Sequence, residues 1–158
     1  TQREQSLEVD LDGPLPVRAD ALKLRQAVSN LLANAVEYTS DGGSVRLIAR
    51  SDRRRALLQV QDTGPGIAER HLPHLFEPFY RVDATADHTA GHFGLGLAMA
   101  LWIVRAHRGQ LTVESHVGLG TAFTIALPLA APAKRETPGD ASAAMDAAAR
   151  RRAGTRRV

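Results

Sequence analysis

Four short polar or glycine-rich clusters follow one another in a fixed order in this 158-residue chain, each beside a stretch of regular apolar periodicity. They occupy residues 30–34, 62–66, 76–81 and 91–96. The clusters supply amide oxygens, a carboxylate, an aromatic–arginine pair and a glycine-rich backbone, which are the parts of a nucleotide site. These parts form one site only if the fold brings them together. The sequence therefore predicts a fold in which helix ends and strand ends converge on one cavity.

Apolar periodicity predicts two long helices. The first follows Asp20, whose carboxylate can cap the first turn, and its apolar residues recur at spacings of three and four until about Tyr38. The second covers residues 95–108 and starts directly from the glycine cluster. Residues 68–75 indicate a short helix that is interrupted at Pro73.

Alternating apolar and polar side chains predict five strands. Residues 7–11 are expected to form a half-buried strand, and the others lie at residues 45–49, 56–60, 110–116 and 122–127. The polar link 51–55 predicts an antiparallel hairpin, and residues 82–93 have no periodicity and are expected to form a loop. Because strands and helices mix without regular βαβ alternation, we expect an α+β fold, with a mixed, mostly antiparallel sheet covered by helices on one face.

Length and charge indicate one domain over residues 1–131 and an Ala/Arg-rich tail, expected to be disordered, over residues 132–158. The net charge of +3 arises in the tail, which has seven basic and three acidic residues, so the remainder carries −1. A nucleic-acid-binding face is therefore not indicated. The chain has no Cys, hence no disulfide or thiolate metal site, and no apolar run of membrane-spanning length. The missing initiating Met suggests a fragment of a longer protein.

The order and spacing of the four clusters resemble the catalytic, ATP-binding domain of bacterial sensor histidine kinases, over residues 7–129. The resemblance implies the two-layer α/β sandwich known as the Bergerat fold, with ATP and Mg²⁺ as cofactors. It also implies transfer of the γ-phosphoryl group to a histidine on an adjoining dimerisation domain, which this chain lacks, and then to a response regulator. The parent is expected to be a membrane-anchored homodimer with this domain in the cytoplasm.

Asn30 and Asn34 are four residues apart and thus lie on one face of the first predicted helix. An amide oxygen suits Mg²⁺, whereas the alternative is that the amides tie the helix to a neighbouring loop. The resemblance assigns the metal to Asn34 and leaves Asn30 open between these two roles. It also places Tyr38 in the adenine pocket, although core packing explains that residue too. Glu37 stands where most relatives have a basic residue, and would repel phosphates if it pointed inward.

Asp62 ends a predicted strand before two closely spaced glycines, so its carboxylate is expected at a pocket edge with backbone nearby. An Asx-turn alone would explain this pattern. The resemblance makes Asp62 the acceptor for the adenine amino group, which would reject guanine, with Gly64, Gly66 and Ile67 beside it. Thr121 matches a family threonine near the phosphates, where a plain hairpin threonine is the alternative.

Arg81 follows an aromatic patch, and its guanidinium fork suits phosphate oxygens. The resemblance places a γ-phosphate contact at this residue, so Arg81 and Asn34 are the two expected catalytic residues. Phe79 belongs to the patch, which either anchors one end of a movable lid or simply pins a loop.

The glycine cluster opens the second helix, where the backbone can approach phosphate and the helix N-terminus offers unpaired N–H groups. The expected nucleotide contacts here are Gly91, Gly94, Leu95, Gly96 and Leu97. His92 and Phe93 depart from the second Gly and the Ser or Thr that relatives often carry. His71 and His74, three apart on the short predicted helix, are expected to be surface residues rather than zinc ligands.

Other functions stay open. Chaperone, topoisomerase and mismatch-repair ATPases resemble this chain, but they have Glu as general base where Asn30 stands, and Asn cannot accept a proton at neutral pH. An anti-sigma serine kinase is harder to exclude from a single domain. A degenerate nucleotide-binding scaffold is supported by Glu37 and His92.

Overall fold

A computed structural model describes residues 4–82 and 94–131. Its strands are β1 (Ser6–Leu11), β2 (Ser44–Asp52), β3 (Arg55–Asp62), β4 (Gln110–His116) and β5 (Gly120–Pro128). Its helices are α1 (Ala21–Tyr38), a 3-10 helix (Glu69–His74) and α2 (Gly96–Ala106). The predicted tail, Gly91, His92 and nearly all of the predicted loop at 82–93 lie outside the described residues. No helix within the described ranges combines the length and the apolarity needed to cross a membrane.

The five strands form one sheet in the order β1-β2-β3-β5-β4. β1 runs parallel to β2, and the three other pairs are antiparallel, so the predicted mixed, mostly antiparallel sheet is confirmed. The β2–β3 hairpin is tighter than predicted, because pairing continues to Asp52 and Arg55 and leaves a link of residues 53–54. The polar side chains at 51–55 predict a longer link, but main-chain pairing does not depend on side-chain polarity and continues through them.

Both helices lie on one face of the sheet and enclose the core between them and the four strands β2 to β5. Asp20 caps α1 as predicted, since its Oδ1 accepts the N–H groups of Leu22 and Lys23 at 3.0 and 3.1 Å. The fully buried core residues come from both helices and from the central strands, and include Ala27, Leu31, Ala35, Val60, Ala100, Ile103, Val104 and Phe123. The opposite face of the sheet is mostly polar, with a Gln59–Thr124 hydrogen bond and an Arg46–Glu8 ion pair. The two-layer arrangement is therefore confirmed.

The prediction that β1 is half-buried is wrong. Leu7, Val9 and Leu11 are 63, 56 and 58 % exposed. They pair with Val45, Leu47 and Ala49 of β2 and therefore face the helix side of the sheet. The helices pack over the inner strands, so the apolar side of this edge strand lies beside α1 rather than beneath it.

Two helix predictions also need correction. The short helix is a 3-10 helix that contains Pro73 instead of stopping there. The second long helix is shorter than residues 95–108, because Leu95 caps it and Arg108 adopts a φ of 58°, which ends the helical backbone.

Candidate functional site

One cavity of about 290 Å³ lies where the C-terminal half of α1, the end of β3 and the start of α2 meet. Its size is at the lower end of the range typical of small-molecule sites. The residues that line it are Asn30, Ala33, Asn34, Glu37, Tyr38, Asp62, Pro65, Gly66, Ile67, Leu75, Tyr80, Arg81, Val82, Gly94, Leu95, Gly96, Leu97 and Thr121.

The cavity brings together residues from all four sequence clusters. Twelve of the fifteen predicted site residues line it, namely Asn30, Asn34, Tyr38, Asp62, Gly66, Ile67, Arg81, Gly94, Leu95, Gly96, Leu97 and Thr121. Gly64 and Phe79 do not line it, and Gly91 lies outside the described residues. The convergence that the sequence required therefore occurs at a single place.

The two asparagines of α1 are placed differently. The Asn30 side-chain N–H donates to the carbonyl of Gly96 at 3.1 Å, so this amide ties α1 to the start of α2, as the alternative interpretation expected. The Asn34 amide lines the cavity and has no hydrogen bond to any described residue. Its carbonyl oxygen is a hard ligand that fits Mg²⁺ held partly by phosphate oxygens.

Asp62 is buried at the end of β3, only 8 % exposed. Its Oδ1 accepts the N–H of Gly64 at 2.9 Å and the N–H of Thr121 at 3.2 Å. Burial raises the pKa of the Asp62 carboxyl above its usual value, and these two hydrogen bonds only partly offset that rise. Both bonds from the described residues end on Oδ1, which leaves Oδ2 for a ligand with an N–H donor. The Asx-turn and a ligand role are thus compatible.

Gly64 contributes through its backbone, although it does not line the cavity. A Cβ at this position would lie 2.9 Å from Asp62 Oδ1 and 2.9 Å from the Tyr38 carbonyl oxygen. Such distances are too short for a side chain, so only glycine lets the turn close against both residues.

Thr121 lies opposite Asp62 in the β3–β5 pair. Its Oγ1 is 2.8 Å from Ser115 Oγ, which also accepts the N–H of Ile67 at 2.8 Å. The structure therefore places Thr121 beside the Asp62 carboxylate. Spacing alone could not show this, because the strand register decides which residue Thr121 meets. The place of Thr121 near the phosphates, which the resemblance implied, stays a prediction.

Phe79 and Gly94 are joined by a hydrogen bond between their backbones. The Phe79 N–H donates to the Gly94 carbonyl at 2.9 Å, and Phe79 has a φ of 68°, rare for a residue with a side chain. The Phe79 ring is 70 % exposed, whereas Phe76 packs edge-on against Phe123 with ring centroids 6.3 Å apart. The aromatic patch therefore contacts the core through Phe76.

The other end of the cavity combines Arg81 with the first turn of α2. Gly94, Leu95 and Gly96 line this end, and the first N–H groups of a helix have no partner within it. The partial positive charge of the helix N-terminus and the Arg81 guanidinium both favour an anion. Glu37 also lines the cavity, so the acidic departure noted in the sequence lies at the site itself.

Six lining residues were absent from the predicted set: Ala33, Glu37, Pro65, Leu75, Tyr80 and Val82. Tyr80 and Val82 flank Arg81, and Pro65 lies between the two glycines, so adjacency was an available signal. Leu75 follows the 3-10 helix and had no signal of its own. Within the described ranges, no group of three or more His, Cys, Asp or Glu could hold a metal ion.

Comparison with known proteins identifies the class. The family model of histidine kinase-, DNA gyrase B- and HSP90-like ATPases matches residues 19–131. Sensor histidine kinase RppB of Synechocystis is 50 % identical over 107 residues, which are 68 % of this chain and 24 % of RppB.

Solved structures agree with this class. A mycobacterial sensor histidine kinase, MprB, superposes with a TM-score of 0.70 at 35 % identity, covering 79 % of this chain and 84 % of that one. Full-length ShkA in complex with AMPPNP has a TM-score of 0.70 at 32 % identity, covering 81 % of this chain and 26 % of ShkA.

The chain belongs to the histidine kinase-, DNA gyrase B- and HSP90-like ATPase family. Within it, the relatives and structural neighbours place the chain among the catalytic domains of bacterial sensor histidine kinases, and its α+β architecture is the Bergerat fold. The chain spans about a quarter of the length of RppB.

Proposed function

We propose that this domain binds Mg-ATP and presents the γ-phosphoryl group to a histidine on an adjoining dimerisation domain. One observation carries the proposal: the Asn34 amide and the Asp62 carboxylate line the same cavity, with the α2 N-terminus and Arg81 beside them. Adenine would donate its amino hydrogen to Asp62. The phosphates would lie toward Arg81 and the first turn of α2, where N–H groups and positive charge are concentrated.

Mg²⁺ would be held by the Asn34 oxygen together with phosphate oxygens, and would neutralise phosphate charge when bound. Arg81 would stabilise the charge on the transferred group, so the contribution of the domain to catalysis is positioning and electrostatics. The parent would be a membrane-attached homodimer that passes the phosphoryl group from its histidine to a response regulator. The full-length ShkA complex with AMPPNP, an ATP analogue, supports a triphosphate ligand for the shared fold.

Hydrolysis of ATP by water is less well supported. Asn30, at the position of the general base in hydrolysing relatives, donates its amide N–H to the Gly96 carbonyl. An amide does not accept a proton at neutral pH, so an attacking water would have no base there.

Calorimetric titration with nucleotides tests the binding step. We expect saturable binding of ATP in the presence of Mg²⁺ and weaker binding of GTP, because the guanine carbonyl would face the Asp62 carboxylate. Equal affinity for ATP and GTP would contradict the assignment of Asp62, and no binding at millimolar ATP would favour the degenerate scaffold.

The transfer step needs a separate experiment. The domain is mixed with a dimerisation domain from a related kinase and with γ-labelled ATP, and acid-labile phosphate is measured on that domain. Acid-labile label that depends on Arg81 supports the kinase. Release of free phosphate at the same rate without the second domain would favour an ATPase.

Asn34→Ala provides the test of the metal assignment. Because the Asn34 amide has no hydrogen bond to a described residue, its removal should leave the unfolding free energy within about 0.5 kcal/mol of the unmutated value. We expect the variant to lose the increase in ATP affinity that Mg²⁺ produces. Ser29→Ala, an exposed change on the same helix, is the control. A full Mg²⁺ effect in Asn34→Ala would remove Asn34 from this role.

A further inference from the structure

Two histidines of the 3-10 helix hold the ring of Tyr80. His71 Nδ1 lies 2.7 Å from Tyr80 Oη, a hydrogen-bonding distance. The His74 ring stacks at a tilt on the same tyrosine, with centroids 5.4 Å apart. Residues three apart lie on one side of a 3-10 helix, so both imidazoles reach the same ring. The sequence predicts only that these histidines are surface residues. The structure shows that both contact Tyr80.

The backbone of Tyr80 is tied to the same helix. His74 Nδ1 lies 2.8 Å from Glu77 Oε1, and the Glu77 carbonyl accepts the Tyr80 N–H at 3.2 Å. The Glu77 N–H in turn donates to the His74 carbonyl at 2.9 Å. The ring and the main chain of Tyr80 are therefore both connected to the 3-10 helix and the residues that follow it.

Tyr80 lines the cavity next to Arg81. On its other side, Phe79 has a φ of 68° and donates its N–H to Gly94. A Cβ on Gly94 would lie 3.0 Å from the Tyr80 carbonyl oxygen, so Gly94 packs directly on Tyr80. A contact that holds Tyr80 in place therefore also helps to position its neighbours Arg81 and Gly94 in the cavity wall.

We propose that His71 is a positioning residue for the anion-binding end of the cavity. Its hydrogen bond to Tyr80 Oη, supported by the stacked His74, orients the tyrosine and, through the main chain, Arg81. This inference rests on the proposed function, since it concerns the phosphate end of the nucleotide. His71 itself is not among the lining residues and acts through Tyr80.

Matched variants of His71 separate the hydrogen bond from the size of the side chain. His71→Asn keeps a polar amide near the position of Nδ1, whereas His71→Leu has similar bulk and no hydrogen-bonding atom. We expect His71→Leu to raise the Kd for Mg-ATP about three- to tenfold, the loss typical of one hydrogen bond, and His71→Asn to restore most of the affinity.

Tyr80→Phe removes the other partner and closes a double-mutant cycle. Both single variants should weaken Mg-ATP binding, and His71→Leu/Tyr80→Phe should be no weaker than either one, because all three lack the same hydrogen bond. His116→Leu, the same change at an exposed histidine of β4, is the control and should bind Mg-ATP normally.

Adenosine supplies a readout that a general loss of stability would not produce. It lacks phosphates and would bind through the Asp62 end, so His71→Leu should leave adenosine affinity unchanged while weakening Mg-ATP. Equal loss for both ligands, additive effects in the cycle, or unchanged Mg-ATP affinity would each overturn the positioning role. If the unmutated domain binds no ATP, the proposed function fails, and the positioning role fails with it. If the unmutated domain binds Mg-ATP but the His71 variants give one of these contrary results, only the positioning role fails.

Discussion

At the scale of single residues, Asp62 shows how binding and stability oppose each other. Its carboxylate is buried and accepts two backbone N–H groups, yet burial still raises the pKa of the group. A buried carboxylate is costly to the fold, because its charge loses hydration. A ligand that donates a hydrogen bond to it would offset part of that cost, which is a physical reason to expect specificity at this position.

Asp62→Asn should weaken ATP binding by roughly 1–3 kcal/mol, the cost of an unsatisfied buried polar partner. The asparagine Oδ1 can still accept the N–H groups of Gly64 and Thr121, so the turn should survive. Its NH₂ group would instead face the adenine amino group, donor against donor. Titration with ATP and GTP measures the change, and the ATP preference should shrink. An unchanged ATP-to-GTP ratio would mean that Asp62 does not read the base.

The same variant should be more stable than the unmutated domain at neutral pH. The folded-state pKa of Asp62 is raised, so ionisation above it costs stability, and the cost disappears below the unfolded-state pKa. The advantage of Asp62→Asn should therefore be full above the folded-state pKa and decline as the pH falls through it. Urea unfolding over a pH series measures this. A difference that does not vary with pH, or a less stable variant at pH 7, would contradict the sign.

At the scale of elements, Gly94 shows that the residues just before α2 pack closely against the backbone at Phe79. Gly94 has a φ of 70°, and a Cβ there would lie 2.9 Å from the Phe79 Cα. Gly42 has a φ of 78°, but nothing lies within 4 Å of its Cβ position. Both glycines have a left-handed φ, but only at Gly94 would a Cβ meet neighbouring atoms.

Gly94→Ala should therefore cost more stability than Gly42→Ala. Both changes force an alanine into the left-handed region, at about 1–2 kcal/mol. Only Gly94→Ala adds a clash with the Phe79 backbone, which should cost at least about 1 kcal/mol more and weaken Mg-ATP binding. Chemical denaturation and titration of both variants give the comparison. Equal losses of unfolding free energy in the two variants would show that Gly94 and Phe79 do not pack as closely as described.

Prediction from sequence succeeded where local chemistry decides the outcome. The Asp20 cap, the apolar stripe of α1 and the glycine start of α2 follow from nearest neighbours along the chain, so their positions could be read directly. Thr121 and Tyr80 could not be placed in this way. The register of β3 against β5 sets Thr121 beside Asp62, and contacts across a turn set Tyr80 beside two histidines. Neither relation has a signature in the spacing of residues.

At the scale of the whole molecule, β1 shows how position in the sheet overrides a strand pattern. Alternation in residues 7–11 predicts burial of one face, but the pattern shows only which residues share a face. Val9 pairs with Leu47, and Leu47 pairs with Val60, so the three form one row across the sheet. Along this row exposure falls from 56 % at Val9 to 0 % at Val60, because the helices pack over the inner strands.

This row allows a matched test of the architecture, since Val→Thr keeps the shape of the side chain and adds a hydroxyl group. Val60→Thr places that hydroxyl in the core and should cost about 1–3 kcal/mol. Val9→Thr leaves it in water at the sheet edge and should change the unfolding free energy by less than about 0.5 kcal/mol. Urea denaturation of both variants measures the difference. If Val9→Thr cost as much as Val60→Thr, the apolar side of β1 would have to be covered in solution, and the edge of the sheet would be an interface rather than a free surface.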